Sequence, residues 1–326
     1  MTPKASTKPR IARFPEKTLG RPSSPEGLST FTANELQATD FPPLKFLVEG
    51  LITEGLTILA GKPKMGKSWM ALDIAMSVAI GCEALGSRPC EKGVALYCAL
   101  EDNPRRLRRR MLQNYGDQIN WPLNFHFATH LSKMDEGGLE DLEDWISEHK
   151  PSLIILDTLA RIKPTSKGKN EYEADYAALL PLQELAGKHG ISIIVIHHLR
   201  KMTGEDPLDM VSGTTGLTGS VDNVLVLDRK SDGVTLYGRG REMENIDLAL
   251  ELDDGLWRIL GDTDTVRISS ERRAIIEVLR DADGPKGPKE IADTLDWPQD
   301  NVRQLLKSMA TDGDVSKLSR GKYALP

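Results

Sequence analysis

Between residues 44 and 260 the chain repeats one arrangement: short apolar runs of strand length alternate with longer stretches of helical character. Residues 56–60, 94–100, 153–156 and 191–196 are almost continuously apolar, as strands covered on both faces require. Strands alternating with helices predict an α/β fold with a mostly parallel sheet flanked by helices. Over residues 70–80, Val, Ile, Met and Ala recur on nearly every face, the pattern of a helix pressed against a sheet. A later apolar strand, 234–237, runs into glycines at 238 and 240.

The pattern changes after Gly261. A polar bridge, GDTDT, leads into three helical stretches, ERRAIIEVLRDA, PKEIADTL and PQDNVRQLLKSMATDG, and then a hairpin, DVSKLSRGKYAL, turning near Arg320 and Gly321. The third stretch places Val302, Leu305, Leu306 and Met309 at helical spacing and leaves Arg303 and Lys307 outside. At the other end, residues 1–30 are rich in Pro, Ser, Thr and Lys/Arg, with no apolar periodicity to offset the entropy of ordering. Six basic residues against two acidic over residues 1–27 give this stretch a net charge of +4. The expected organisation is a flexible basic tail at 1–30, an α/β domain at 31–262 and a small domain at 268–326.

The 326 residues have room for two domains, and the formal net charge is −6. No apolar run is long enough to cross a bilayer and none near the start reads as a leader, so a cytoplasmic protein without membrane partners is expected. Overall acidity confines any nucleic-acid contact to local patches. Cys82, Cys90 and Cys98 are widely spaced without a CxxC or paired-histidine motif, which fits buried or reduced thiols rather than zinc or disulfides; no chemistry is assigned to them.

Candidate chemistry begins at residues 61–68, GKPKMGKS, which match G-x-x-x-x-G-K-[ST] in full between a strand and a helix. Gly61, Lys62, Pro63, Lys64, Met65 and Gly66 form a loop whose amides, with the N-terminus of the next helix, cradle phosphates. Lys67 reaches the β/γ oxygens and Ser68 holds Mg²⁺. The chain is therefore expected to bind a nucleoside triphosphate. The strand 94–100 ends in Glu101 and Asp102, and strand carboxyl ends line the ligand crevice of parallel sheets. Glu101, directly after the strand, is expected to orient or deprotonate the attacking water; Asp102 is placed to cap the helix beginning near Arg105. Arg105, Arg106, Arg108, Arg109 and Arg110 read as a charged helical face. Asp157, after the aliphatic run 153–156, is the expected acidic partner of Ser68 in the Mg²⁺ shell. The strand 191–196 ends in His197 and His198, and one of them is well placed to hydrogen-bond the γ-phosphate.

Taken in order, GKPKMGKS, ALED, LIILDTLAR, IHHLRK and YGRGRE resemble the RecA-like ATPases, and most closely the plasmid and phage replicative-helicase branch typified by the RepA hexameric helicases. The resemblance spans roughly residues 35–260. It implies Lys67, Ser68, Asp157 and Glu101 in the nucleotide site and His198, which precedes Leu199, Arg200 and Lys201, as the γ-phosphate sensor. It also implies a homo-hexameric ring with ATP between subunits and an arginine supplied by the neighbour. Arg241 and Arg239, two apart on one strand face, are the candidates for that role, with Arg241 ahead.

Single-stranded DNA contacts are expected from two loops facing the ring channel: residues 163–172, with Lys163, Lys167 and Lys169, and residues 200–219, with Arg200, Lys201 and the Ser/Gly/Thr stretch 212–218. Neither carries a series of stacking aromatics, which favours backbone tracking over base reading. The C-terminal segment resembles winged-helix domains. Ten basic and ten acidic residues balance there, so docking to a replication initiator or loader protein stands beside DNA binding as its role. The function this reading supports is a Mg²⁺-dependent replicative DNA helicase of phage or plasmid type; the alternative is an ATP-dependent DNA-binding regulator or loader that does not unwind.

Overall fold

The computed structural model describes residues 30–41, 43–118, 120–164, 171–199, 211, 217–230, 233–318 and 321–326. The expected tail, except for Thr30, lies outside them. The chain divides into two compact units, residues 1–45 and 46–326. In the first unit, helix α1 (Ala33–Ala38) starts at Thr32, whose hydroxyl accepts from Glu35 N while the Glu35 carboxylate accepts from Thr32 N. That reciprocal capping box satisfies two groups a helix end leaves open.

The second unit is built on one large sheet. Short strands β1 (Phe46–Val48) and β2 (Ile52–Thr53) precede β3 (Gly55–Gly61), which is buried at every position and delivers the chain to helix α2 (Lys67–Ile80). A small hairpin, β4 (Glu83–Ala84) and β5 (Arg88–Pro89), is followed by β6 (Ala95–Ala99), α3 (Pro104–Tyr115), β7 (Phe125–Ala128) and α4 (Leu139–His149). Next come β8 (Leu153–Asp157), α5 (Leu159–Ile162), α6 (Glu171–His189) and β9 (Ser192–His198). A meander of β10 (Asn223–Lys230), β11 (Gly233–Gly240), β12 (Ile246–Asp253) and β13 (Leu256–Asp262) completes the sheet.

The strand order is β13-β12-β11-β10-β3-β9-β8-β6-β7. From β10 to β7 neighbouring strands are parallel; β10 to β13 are antiparallel. This is the mostly parallel α/β sheet that the alternating pattern predicts. Side-chain alternation splits its core in two. Leu59, Tyr97, Ile155, Ile194 and Ile196 pack with α2 on one face, while Ile58, Leu96, Ile154, Ile193 and Val195 pack with α4 and α6 on the other.

The polar bridge expected after Gly261 is absent. Strand β13 runs to Asp262, which caps helix α7 (Thr263–Arg280) by accepting from Asp264 N and Thr265 N. Helices α8 (Pro288–Leu295) and α9 (Gln299–Asp312) and the antiparallel pair β14 (Ser316–Lys317) and β15 (Tyr323–Ala324) follow. They share a core of Ile275, Leu279, Ile291, Val302, Leu306, Met309, Val315 and Tyr323.

Candidate nucleotide site

The loop between β3 and α2 is set by close backbone approaches. Gly66 has φ +92°, and a Cβ on it would lie 2.8 Å from the ring of Trp257; a Cβ on Gly61 would lie 2.7 Å from the Leu227 carbonyl. Helix α2 begins at Lys67, three residues before the apolar pattern at 70–80. Its N-cap, Gly66, has no side chain to satisfy the first-turn N–H groups. Such an uncapped, dipole-aligned terminus favours an anion. Lys67 is 3% exposed, and its Nζ donates to the carbonyls of Gly61 (2.7 Å) and Lys62 (2.8 Å). Burial pulls its pKa down to about 8, against the opposing fields of Asp157 and Glu101.

Register gathers the other side chains. Gly61 is level with His198 on β9, Asp157 of β8 with Ile196, and Ala99 of β6 with Asp157, so the carboxyl ends of four adjacent strands form one rim. Asp157 is buried and accepts from the Tyr97 hydroxyl at 2.7 Å. Desolvation raises its pKa above the usual carboxylate value, while hydrogen bonds from Tyr97 and Ser68 act to lower it. Glu101 stands at the mouth of the rim, where its Oε1 accepts from Thr158 Oγ1 at 3.3 Å and lies 3.5 Å from Arg161 Nε. His198 has its pKa lowered by burial and by the charge of Lys67, with Glu101 and Asp157 opposing.

Lys67, Ser68, Asp157, Glu101 and His198 therefore come together on the α2 side of the sheet. A buried cation, free helix amides and a hydroxyl hydrogen-bonded to a buried carboxylate suit a polyphosphate with a divalent cation. Tyr97 and Trp257 escape the sequence reading. Tyr97 lies on the α2 face of β6 with a hydroxyl fixing Asp157, and Trp257 donates its Nε1–H to Gly66 O at 3.0 Å. Lys62 pairs with Asp228 across 3.8 Å.

Asp102 does not cap α3. Asn103 does, accepting from Arg106 N at 3.0 Å with Pro104 at the first helical position. Asp102 instead pairs with Arg106 (3.0 Å) and Arg110 (2.5 Å), leaving Arg105, Arg108 and Arg109 exposed.

His197 occupies the opposite face from His198. Burial lowers its pKa first of all, with the charge of Asp175 opposing and that of Lys163 adding to the shift. Lys163 makes a 3.0 Å ion pair with Asp175, which is 4% exposed. Lys167, Lys169, Arg200 and Lys201, and most of the two loops that carry them, lie outside the described residues.

Arg239 and Arg241 lie away from this rim. Gly240 is level with Asn223 and hence with Thr57, about 13 Å along the strand from Gly61. Tyr237 packs on the α6 side, so alternation carries Arg239 and Arg241 to that face. Arg241 donates to Gly219 O at 2.9 Å and lies 3.7 Å from Asp222 Oδ1, which also accepts from Gln183 of α6. Both arginines are thus near the opposite end, and on the opposite face, of the sheet from their own phosphate loop.

Residues 22–204 match the family described as AAA domain. Among solved structures, a KaiC-like protein from the hyperthermophilic archaeon Pyrococcus horikoshii OT3 is similar at 16% identity, over 65% of this chain and 93% of that one, with a TM-score of 0.44. A DnaB-like replicative helicase, described with its interactions with primase, is similar at 13% identity with a TM-score of 0.51, over 69% of this chain and 64% of that one. At that identity the likeness to the helicase is one of fold. No curated protein matches the chain.

Proposed function

Since the chain belongs to the AAA domain family of P-loop ATPases, we propose that it works as a Mg²⁺-dependent ring ATPase, a homo-hexamer that translocates on single-stranded DNA as a replicative helicase of phage or plasmid type. The observation that carries this reading is the separation of Arg239 and Arg241 from their own phosphate loop. An arginine at that end of the sheet can complete a nucleotide site only across an interface.

In the proposed site Lys67 and the first amides of α2 hold the phosphates. Ser68 and Asp157 would hold Mg²⁺, which supplies charge neutralisation on the phosphate oxygens. Glu101 orients and deprotonates the attacking water, His198 senses the γ-phosphate, and Arg241 of the adjacent subunit, with Arg239 beside it, stabilises the charge that develops on hydrolysis. The fold shared with a DnaB-like replicative helicase supports the helicase reading, and an ATP-dependent regulator or loader with the same hydrolysis is the alternative. Lys163, Lys167, Lys169, Arg200 and Lys201 are the proposed DNA contacts, Lys163 through a side chain already tied to Asp175.

The C-terminal module is proposed as a winged helix at 268–326. Arg303 on α9 pairs with Asp300, and Arg272 with Asp312 and Asp314, which favours docking to an initiator or loader protein over tight DNA binding. ATPase rates with and without single-stranded DNA, mass in solution and unwinding of a forked substrate test the proposal together. Stimulation by DNA, a hexamer mass and strand separation are expected. A DNA-stimulated ATPase that leaves forks intact would replace the helicase by the loader.

A further inference from the structure

The β4–β5 hairpin lies outside the nucleotide site, at the far end of the P-loop helix. Its register pairs Glu83 with Pro89 and Ala84 with Arg88, so the next opposed pair outward is Cys82 with Cys90. The two backbones remain together beyond that pair, since a Cβ on Gly81 would lie 2.8 Å from the Cβ of Lys92. Cys90 is held from its other side as well. It bridges antiparallel to Val48, with Glu49 N donating to Pro89 O at 3.0 Å and Glu91 N to Leu47 O at 2.9 Å. Directly opposed residues on antiparallel strands project to one face with Cα atoms roughly 4.5–5.5 Å apart, within the span of a disulfide. Cys82 is exposed, Cys90 is partly buried, and both are free thiols.

We propose that Cys82 and Cys90 form an oxidisable dithiol, a modification site that closes to an intramolecular disulfide on reaction with a small-molecule disulfide. The exposed Cys82 acts first: its thiolate attacks one sulfur of RSSR, forming a mixed disulfide and expelling RS⁻. Cys90 then gives up its proton, its sulfur attacks Cys82 Sγ, and the second RS⁻ leaves. Two protein thiols are oxidised while RSSR is reduced to two RSH, and no further oxidant is needed. Burial pushes the Cys90 thiol up to about 11, which keeps it protonated at neutral pH and leaves the first attack to Cys82. Cys98, buried on β6 and pushed up to about 12, stays out of the exchange.

The hairpin is tied to the helix that carries the phosphate loop. Cys82 N donates to Ser77 O at 3.1 Å, Ser77 Oγ to Glu83 O at 3.2 Å, and Leu85 N to Asp73 Oδ2 at 2.9 Å. The disulfide would close residues 82–90 into a ring fixed to the last turns of α2.

The full-length protein is incubated with oxidised glutathione, then denatured, alkylated and weighed. Of the three cysteines only Cys98 is expected to remain alkylatable, and proteolysis after Glu83 should leave the Cys82 and Cys90 fragments joined until reduced. Cys90→Ser should stop at one glutathione on Cys82, and Cys98→Ser should behave like the wild type. Three free thiols in the oxidised wild type, a persistent glutathione adduct on its Cys82, or a disulfide between two chains would each overturn the proposal.

Discussion

The indole Nε1–H of Trp257 donates to the carbonyl of Gly66 at 3.0 Å across 191 positions of sequence. It joins the outer strand of the antiparallel meander to the residue that opens the P-loop helix. Trp257 is 1% exposed, so the phosphate loop rests on a filled core rather than on solvent. Trp257→Phe keeps most of the volume but removes one of the two hydrogen bonds to the Gly66 carbonyl, which Met70 N still satisfies at 3.0 Å, at a cost of about 0.5–1.5 kcal/mol. The expected result is a lower melting temperature together with weaker ATP binding, read by calorimetry and nucleotide titration. Unchanged ATP affinity would remove Trp257 from the site.

Much of the sheet and most of the site are legible in the sequence because their signals are local. Buried strands announce themselves as apolar runs, and GKPKMGKS, Asp157 and the His197–His198 pair sit at their carboxyl ends. Trp257 and Tyr97 are not legible, because their roles depend on partners far away in sequence, and no period or motif encodes that pairing. Two boundaries are misread for a different reason. Asp102 and Asn103 both suit a helix cap, and the decisive signal was Pro104, which favours the first helical position. GDTDT looks like a linker because its residues are polar, yet Asp262 is an N-cap and the polar residues after it form the first turn of α7.

Lys67 sits at the balance between burial and neighbouring carboxylates, with a pKa of about 8. Below that pH the side chain carries the charge the phosphates need; above it the free protein loses the proton and must regain it on binding. ATP affinity should therefore be flat below about pH 8 and weaken up to tenfold per pH unit above it. Lys67→Ala should abolish hydrolysis, and Lys67→Arg should lose the inflection because guanidinium stays charged. Isothermal titration across pH 7–9.5 checks this.

Tyr97 holds Asp157 toward its ionised form, since its hydroxyl donates to the carboxylate at 2.7 Å. Burial alone pushes the acid the other way. Tyr97→Phe should raise the Asp157 pKa, so the acid limb of the ATPase pH profile moves to higher pH while the alkaline limb stays in place. A pH–rate profile that falls uniformly at all pH values would mean the hydroxyl serves only packing.

Glu101 is half-exposed at the mouth of the rim, close to Thr158 and Arg161. Glu101→Gln is expected to leave ATP binding largely intact while turnover falls by about 10²-fold or more, the consequence of neutralising a base. Equal loss of binding and turnover would assign Glu101 a structural role.

Arg241 lies near the opposite end and on the opposite face of the sheet from its own Lys67, and we propose that each nucleotide site is completed by the neighbour. The most direct measurement is ATPase activity in mixtures of Lys67→Ala and Arg241→Ala subunits shown by mass to co-assemble. Each variant alone should bind or assemble normally yet hydrolyse poorly, and the mixture should recover activity at interfaces where an intact Lys67 meets an intact Arg241. Co-assembled mixtures with no recovery would mean that Arg241 acts in cis or that turnover needs every site intact, and full activity of Arg241→Ala alone would overturn the Arg241 assignment and shift the role to Arg239.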